Sequence, residues 1–366
     1  MAESHAVVAD PVARVRAVLE LGRRLADPSQ EEGRAARRRL TAESGLSPEG
    51  VALALGEHLE TEASDEELAR FVGRAAPCSR AAVVLSANVC TGALRAIAFG
   101  LATAPRVLVK PSRRDPSLAE LLAEALPGVS LVPSLEAALA PLAPGEELHV
   151  YGSDETIAVA APLATARGVV LRGHGTGFGV AAIGREASVA GAAERLARDL
   201  VPFDGRGCLS PRLALVEGDA ERARALAEAT HRALERLGGR IPRGEASAAE
   251  RREVALFRRT HEVVGEVFVG AHHVVALDPE PESLAPAPAL RAVTVAPLEA
   301  ARVPARLAAL ARWITCVGDE GDSELGAAVG SLAQHARRSR LGAMQRPPFD
   351  GPVDLRRQVP TNTRDR

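Results

Sequence analysis

Residues 80–112 read RAAVVLSANVCTGALRAIAFGLATAPRVLVKPS, and this stretch decides the fold class. Residues 80–86 are a short apolar run, the composition of a strand buried on both faces of a parallel sheet. Asn88 and Gly92 supply a turn, residues 91–102 read as a helix, and residues 106–110 form a second apolar strand ending in Lys110. A strand, a helix and a further parallel strand make one βαβ unit. The same window is apolar enough to suggest a membrane span. Ser86, Asn88, Thr91, Arg95 and Thr103, together with the internal turn, argue against that, and no membrane span is expected.

Working outward, the pattern repeats. Asp115 and Pro116 are start signals for a helix to residue 126, followed by strand 129–132. Strand 147–151 meets Gly152-Ser153 and a helix through residue 166, then strands 168–171 and 178–183. A second set begins with helix 187–200, strand 213–217 and helix 220–237. It continues after a Pro-rich, acidic surface loop at 279–288 with strand 291–296, helix 303–311, strand 313–317 and helix 323–338. Ahead of residue 74 lie three helical stretches, 12–25, 30–40 and 47–70, in which nothing catalytic stands out. The expected fold is α/β, with two lobes of largely parallel sheet and an N-terminal helical segment; 366 residues suffice for two cores. The expected division is 1–75 helical, 76–183 a dinucleotide-binding lobe, 184–340 a catalytic lobe and 341–366 an extended tail.

Composition narrows the function. A net charge of −2 gives no long-range attraction for phosphate backbones or anionic lipid, so no nucleic-acid partner is expected. The cysteines Cys78, Cys90, Cys208 and Cys316 are widely spaced, which disfavours a zinc knuckle or a disulfide framework. No metal is expected. No basic stretch followed by an apolar core opens the chain, so the expected location is a reducing cytoplasm.

Four motifs carry chemistry. In Phe203-Asp-Gly-Arg-Gly-Cys208-Leu-Ser-Pro-Arg212 one cysteine is framed by glycines just before a strand. Such a turn lets backbone N–H groups reach a substrate carbonyl beside a thiolate, although a lone cysteine is more often buried core. Ser86-Ala-Asn88-Val and Val109-Lys110-Pro-Ser112 stand at the sheet edge where α/β folds bind nucleotides. Tyr151-Gly152-Ser153-Asp-Glu155 places a glycine turn at a helix N-terminus, which favours phosphate but is usually just a cap. Gly173-His174-Gly-Thr-Gly-Phe-Gly179 sets one imidazole in a glycine-dense crossing.

In this order and spacing, together with Gly342-Ala-Met-Gln-Arg-Pro-Pro348, the motifs resemble the aldehyde dehydrogenase superfamily. Within it they resemble the acyl-CoA reductase branch typified by the fatty acyl reductase of bacterial bioluminescence, over about residues 80–351. The resemblance implies that Cys208 accepts an acyl group from acyl-CoA or an acyl-carrier thioester, with Asn88 and the Cys208 N–H holding the oxyanion. It implies that Lys110 and Ser112 hold the cofactor ribose and Gly152-Ser153 its pyrophosphate. Arg113 stands where many NAD-using relatives carry an acidic residue, which favours NADPH over NADH. The residues at the crossing read Leu171-Arg-Gly-His174, without the glutamate base of aldehyde-oxidising relatives, so His174 is the expected proton carrier. The expected product is a fatty aldehyde. An aldehyde-oxidising enzyme and an idle acyl-carrier-binding scaffold remain the alternatives, and a homodimer stays open because relatives commonly dimerise.

Overall fold

The computed structural model describes residues 10–280, 284–351 and 353. The first part is helical: α1 (Pro11–Ala26), α2 (Glu31–Glu43), α3 (Pro48–Glu57) and α4 (Asp65–Gly73). Asp10 accepts the Val12 and Ala13 N–H groups ahead of α1, and Ser47 caps α3. Ser64 and Glu67 form a reciprocal capping box on α4. That box explains a correction: the single helix expected over 47–70 is two helices, because residues 58–64 leave the helix before Ser64 restarts it. Val15, Val18, Leu19 and Leu25 recur at helical spacing, and this buried face of α1 packs on the helix over Gly92–Thr103.

The first sheet contains β1 (Ala81–Val84), β2 (Val107–Lys110), β3 (Val129–Leu131), β4 (Glu147–Tyr151) and β5 (Val170–His174). Its connecting helices are α5 (Gly92–Thr103), α6 (Ser117–Ala125), α7 (Leu135–Leu139) and α8 (Asp154–Ala166). All pairs are parallel, in the order β3-β2-β1-β4-β5. The order reverses between β1 and β4, so a crevice opens at the carboxyl ends of those strands. Helix α6 starts at Ser117, with Pro116 in the cap position, and one oxygen of Asp115 has no hydrogen-bond partner. The Asp115 carboxyl nevertheless accepts the Ser117 N–H, the first-turn contact expected of it.

The second sheet has the order β12-β11-β6-β7-β10-β9-β8. Its strands are β6 (Phe178–Ile183), β7 (Pro211–Val216), β8 (Glu266–Val269), β9 (Val274–Leu277), β10 (Ala292–Pro297), β11 (Ile314–Glu320) and β12 (Arg337–Arg340). Helices α9 (Val189–Leu200), α10 (Ala220–Arg240), α11 (Ala248–Val264), α12 (Val303–Leu307) and α13 (Glu324–Leu332) cover it. Only the β8–β9 pair is antiparallel. The chain passes between the sheets through residues 175–177.

Three further expectations are corrected in this half. The helix expected over 323–338 stops at Leu332, and Arg337–Arg340 forms an edge strand on β11. Its sequence, Arg-Arg-Ser-Arg, has no apolar strand signature because an edge strand is guarded by charge. The helix expected over 303–311 stops at Leu307. In the expected surface loop at 279–288, Leu284 and Ala287 are buried and the Ala287 N–H donates to the Arg212 carbonyl. Among the described residues, no helix is long and apolar enough to cross a membrane.

Candidate active site

A cavity of about 180 Å³ lies at the carboxyl ends of β1, β4 and β5. Ser86 and Asn88 reach it from the end of β1, Tyr151 and Gly152 from β4, His174 from β5, and Gly207, Cys208 and Leu209 from the second half of the chain. Asn88, Gly152, His174 and Cys208, spread over 120 residues of sequence, thus share one enclosure.

The loop ahead of Cys208 is held in an uncommon conformation. Phe203, Asp204 and Gly205 have φ values of 54°, 52° and 67°. Glycine adopts this left-handed region freely and aspartate tolerates it, but phenylalanine there is strained and persists only when its surroundings over-determine it. Asp204 is 1% exposed and lies 2.7 Å from the Arg291 guanidinium and 3.2 Å from that of Arg206. Its carboxylate also accepts the Gly244 N–H, while its carbonyl accepts those of Leu290 and Arg291. Arg206 continues the network to Glu250 and to the Glu245 carbonyl. Burial raises the carboxyl of Glu250, but hydrogen bonds from Arg206 and Ser247 more than offset this and hold it down at about 2.

Beyond the loop, Thr315 Oγ1 donates to the Cys208 carbonyl at 2.5 Å, and the Gly179 N–H donates to the Ser210 carbonyl at 2.8 Å. A Cβ on Gly179 would fall 2.5 Å from the Leu209 carbonyl oxygen and 2.6 Å from Met344 Cε. One glycine of the dense crossing therefore exists to let the Cys208 loop seat on β6. Gln345 donates to Ser210 Oγ and to the Asp199 carbonyl, and the Asp199 carboxylate accepts the Gly342 and Met344 N–H groups. Burial pushes Asp199 up to about 7 against those bonds.

No disulfide joins any of the four cysteines. Cys90 and Cys316 are buried, and burial raises both thiols strongly; Cys78 is raised in the same sense. Cys208 is half-buried at the cavity wall.

His174 owes its place to β-sheet register. Strand β5 runs three residues past the expected end at 171, and its pairing aligns Arg172 with His149 and His174 with Tyr151. Alternation then puts Glu147, His149, Tyr151, Arg172 and His174 on one face. His174 stacks on Tyr151 with ring centroids 4.2 Å apart and planes 6° from parallel. Glu147 is gripped by His149 Nε2 at 3.0 Å and Arg172 at 2.7 Å. Burial opposes its ionisation, yet those bonds leave its carboxyl below the ordinary glutamate range.

The structure also brings in residues that sequence reading missed. His58 and Glu60, from the segment between α3 and α4, line the same cavity with Arg95 and Gln345. Glu60 pairs with the Arg95 guanidinium, which also donates to the carbonyls of Pro348, Phe349 and Gly351. Burial raises the Glu60 carboxyl even though Arg95 opposes it. Nothing in the local sequence of this segment marks a site; only its packing against α5 does.

The four other expected residues stand at the same sheet edge but outside the cavity lining. Lys110 closes β2, and its pKa is lowered first by burial and then by the neighbouring charge of Arg113. Ser112 Oγ accepts the Arg114 N–H. Ser153 caps α8 by accepting the Thr156 N–H at 3.4 Å.

This architecture is that of the aldehyde dehydrogenase fold. The structure is similar to a salicylaldehyde dehydrogenase from Pseudomonas putida G7 complexed with salicylaldehyde, at a TM-score of 0.68 and 15% identity, covering 92% of this chain and 78% of the other. A NAD-dependent benzaldehyde dehydrogenase from Corynebacterium glutamicum gives 0.67 and 15%, covering 93% and 81%. A Mycobacterium tuberculosis aldehyde dehydrogenase complexed with NAD+ also gives 0.67 and 15%, covering 92% and 78%. No curated protein matches the sequence. Within that fold, the chain belongs to the acyl-CoA reductase (LuxC) family, whose model matches residues 64–357. Family and fold together place it among oxidoreductases acting on aldehyde or acyl groups.

Proposed function

We propose that the protein reduces an acyl thioester, carried by CoA or an acyl-carrier protein, to the aldehyde with NADPH, through an acyl group on Cys208. The observation that carries this reading is the meeting of Cys208, Asn88 and His174 around one cavity at the reversal point of the sheet. The Cys208 thiolate attacks the thioester carbonyl, and the charge formed on oxygen faces the Asn88 side-chain amide and the Cys208 N–H. Collapse expels the carrier thiolate, and a proton reaches it. Cofactor chemistry supplies one hydride to the acyl carbon of the enzyme thioester. The resulting hemithioacetal oxygen re-forms its carbonyl, releasing aldehyde and the Cys208 thiolate. His174, held flat against Tyr151, moves protons at the thiol and at the leaving group.

The residues present fit a phosphorylated dinucleotide. Lys110 and Arg113 stand close enough for their charges to interact, a paired cation site suited to a ribose 2′-phosphate. Gly152 and Ser153 lead into α8, whose N-terminal dipole favours a pyrophosphate. The test is incubation with radiolabelled acyl-CoA in the absence of NADPH, followed by peptide mapping and an NADPH chase. A labelled Cys208 peptide that discharges as aldehyde is expected; an unlabelled Cys208 would overturn the reading.

Glu60 favours a second outcome for the same acyl-enzyme. A half-buried carboxyl with a raised pKa in the cavity wall could serve as a base toward water, which would make the protein an aldehyde-oxidising enzyme. Formation of carboxylic acid from aldehyde and NADP+, lost in Glu60→Gln, would support that reading over reduction.

A further inference from the structure

We propose that His231, Glu235 and His273 form a binding site for a divalent transition-metal ion, with Zn2+ as the ion its ligands suit best. His231 and Glu235 are four residues apart on α10, so their side chains share one face. His273 comes from the turn between β8 and β9 and is 2% exposed. One donor atom from each residue lies within 4.8 Å of the other two. His231 Nδ1 is 2.8 Å from His273 Nε2, and a Glu235 oxygen is 3.8 Å from His273 Nδ1.

Two features go beyond proximity. His273 Nδ1 is fully buried with no hydrogen-bond partner, although burying a polar nitrogen this way is costly. The turn is also shaped around the cluster: a Cβ on Gly270 would sit 2.0 Å from Glu235 Oε1 and 2.2 Å from His273 Cε1. The Gly270 N–H closes the turn onto the His273 carbonyl. A side chain at position 270 would push Glu235 and His273 apart.

Glu235 supplies a negative charge at the cluster itself. Two imidazoles and one carboxylate suit zinc and its neighbours better than Mg2+ or Ca2+, which prefer all-oxygen sites. An ion on His273 Nδ1, the side that faces Glu235, requires His231 to turn from Nε2 toward Nδ1, because nitrogens each about 2.05 Å from a tetrahedral ion lie about 3.3 Å apart. Half-buried His231, on a surface helix, can supply that movement, and exposed Glu235 leaves the fourth position to solvent. None of the three residues lines the Cys208 cavity. An ion here would tie α10 to the β8–β9 turn.

The experiment is titration of the EDTA-treated full-length protein with Co2+. Tetrahedral visible absorption saturating at one ion per chain and displaced by Zn2+ is expected. His231→Asn and Glu235→Gln, which leave the buried His273 in place, should each weaken Co2+ affinity about 100-fold or more. Their metal-free melting should match that of the parent, so the loss reads as ligation rather than misfolding. Cys208→Ala should leave the band intact. Absence of the band, its persistence in both variants, or its loss in Cys208→Ala would overturn the proposal.

Discussion

Asp204→Asn tests whether a buried charge pair holds the Cys208 loop in its strained shape. Asparagine matches aspartate in size and tolerates the φ of 52°, so the substitution keeps the shape while removing the charge and one of the two oxygens that accept from Arg291, Arg206 and the Gly244 N–H. Arg291 is the largest fully buried side chain among the described residues, and Asp204 is the carboxylate that faces it, at 2.7 Å. Its remaining hydrogen bonds go to the Ile241 and Pro242 carbonyls, which carry no charge. Losing one partner of such a pair typically costs about 3–5 kcal/mol. With an unfolding entropy of about 2.1 cal/mol/K per residue, the chain gains about 0.77 kcal/mol/K on melting, so the midpoint should fall by about 4–7 °C in scanning calorimetry. Removing the orphaned cation as well, in Asp204→Asn/Arg291→Met, should recover part of that loss, because an apolar replacement for a buried pair is often neutral. The loosened loop should also slow acylation of Cys208 in a rapid-quench assay. A single variant that melts within about 1 °C of the parent and acylates normally would refute the idea that this pair holds the loop.

Other outcomes follow from the same geometry. Asn88→Ala should lower the acylation rate by about 2.7–4 kcal/mol in barrier terms, read from single-turnover kinetics, if its amide faces the oxyanion. Iodoacetamide should alkylate Cys208 ahead of Cys90 and Cys316, whose buried thiols are raised, as mass spectrometry of digests would show. Arg113→Glu should raise the KM for NADPH at least about tenfold and spare NADH, measured by steady-state kinetics with both cofactors. Asp199 titrates higher in the folded protein than in the unfolded chain, so its contribution to stability is complete below about pH 4 and is lost as pH rises through about 7. Asp199→Asn should flatten that part of the stability profile in denaturation series from pH 4 to pH 8.

Sequence legibility varied with how local the cause was. The strands β1 and β6 show their apolar runs openly because parallel strands buried on both faces must be apolar throughout. β12 was illegible, since an arginine-rich edge strand gains its pairing from β11 rather than from its own composition. Helix α11 and strands β8 and β9 are absent from the sequence expectation. Part of β8 stays exposed, so it lacks the continuous apolar run that marks the interior strands. In sequence α3 and α4 read as one helix, because the helical pattern continues across a break marked only by the capping box of Ser64 with Glu67. The motifs around Asn88, His174 and Cys208 were legible because glycine, a lone imidazole and a lone thiol stand out from an alanine-rich background.

The linear chain therefore determined the α/β class, the αβ alternation and the candidates for chemistry, since each of these is written in neighbouring residues. Tertiary structure alone decided that His58, Glu60, Arg95 and Gln345 share the cavity with Cys208. It also decided that Arg291 and Asp204, 87 residues apart, hold the Cys208 loop. Those contacts depend on how helices and two sheets pack across long sequence separations, and a buried ion pair or a cavity wall leaves no periodic trace in either of its segments.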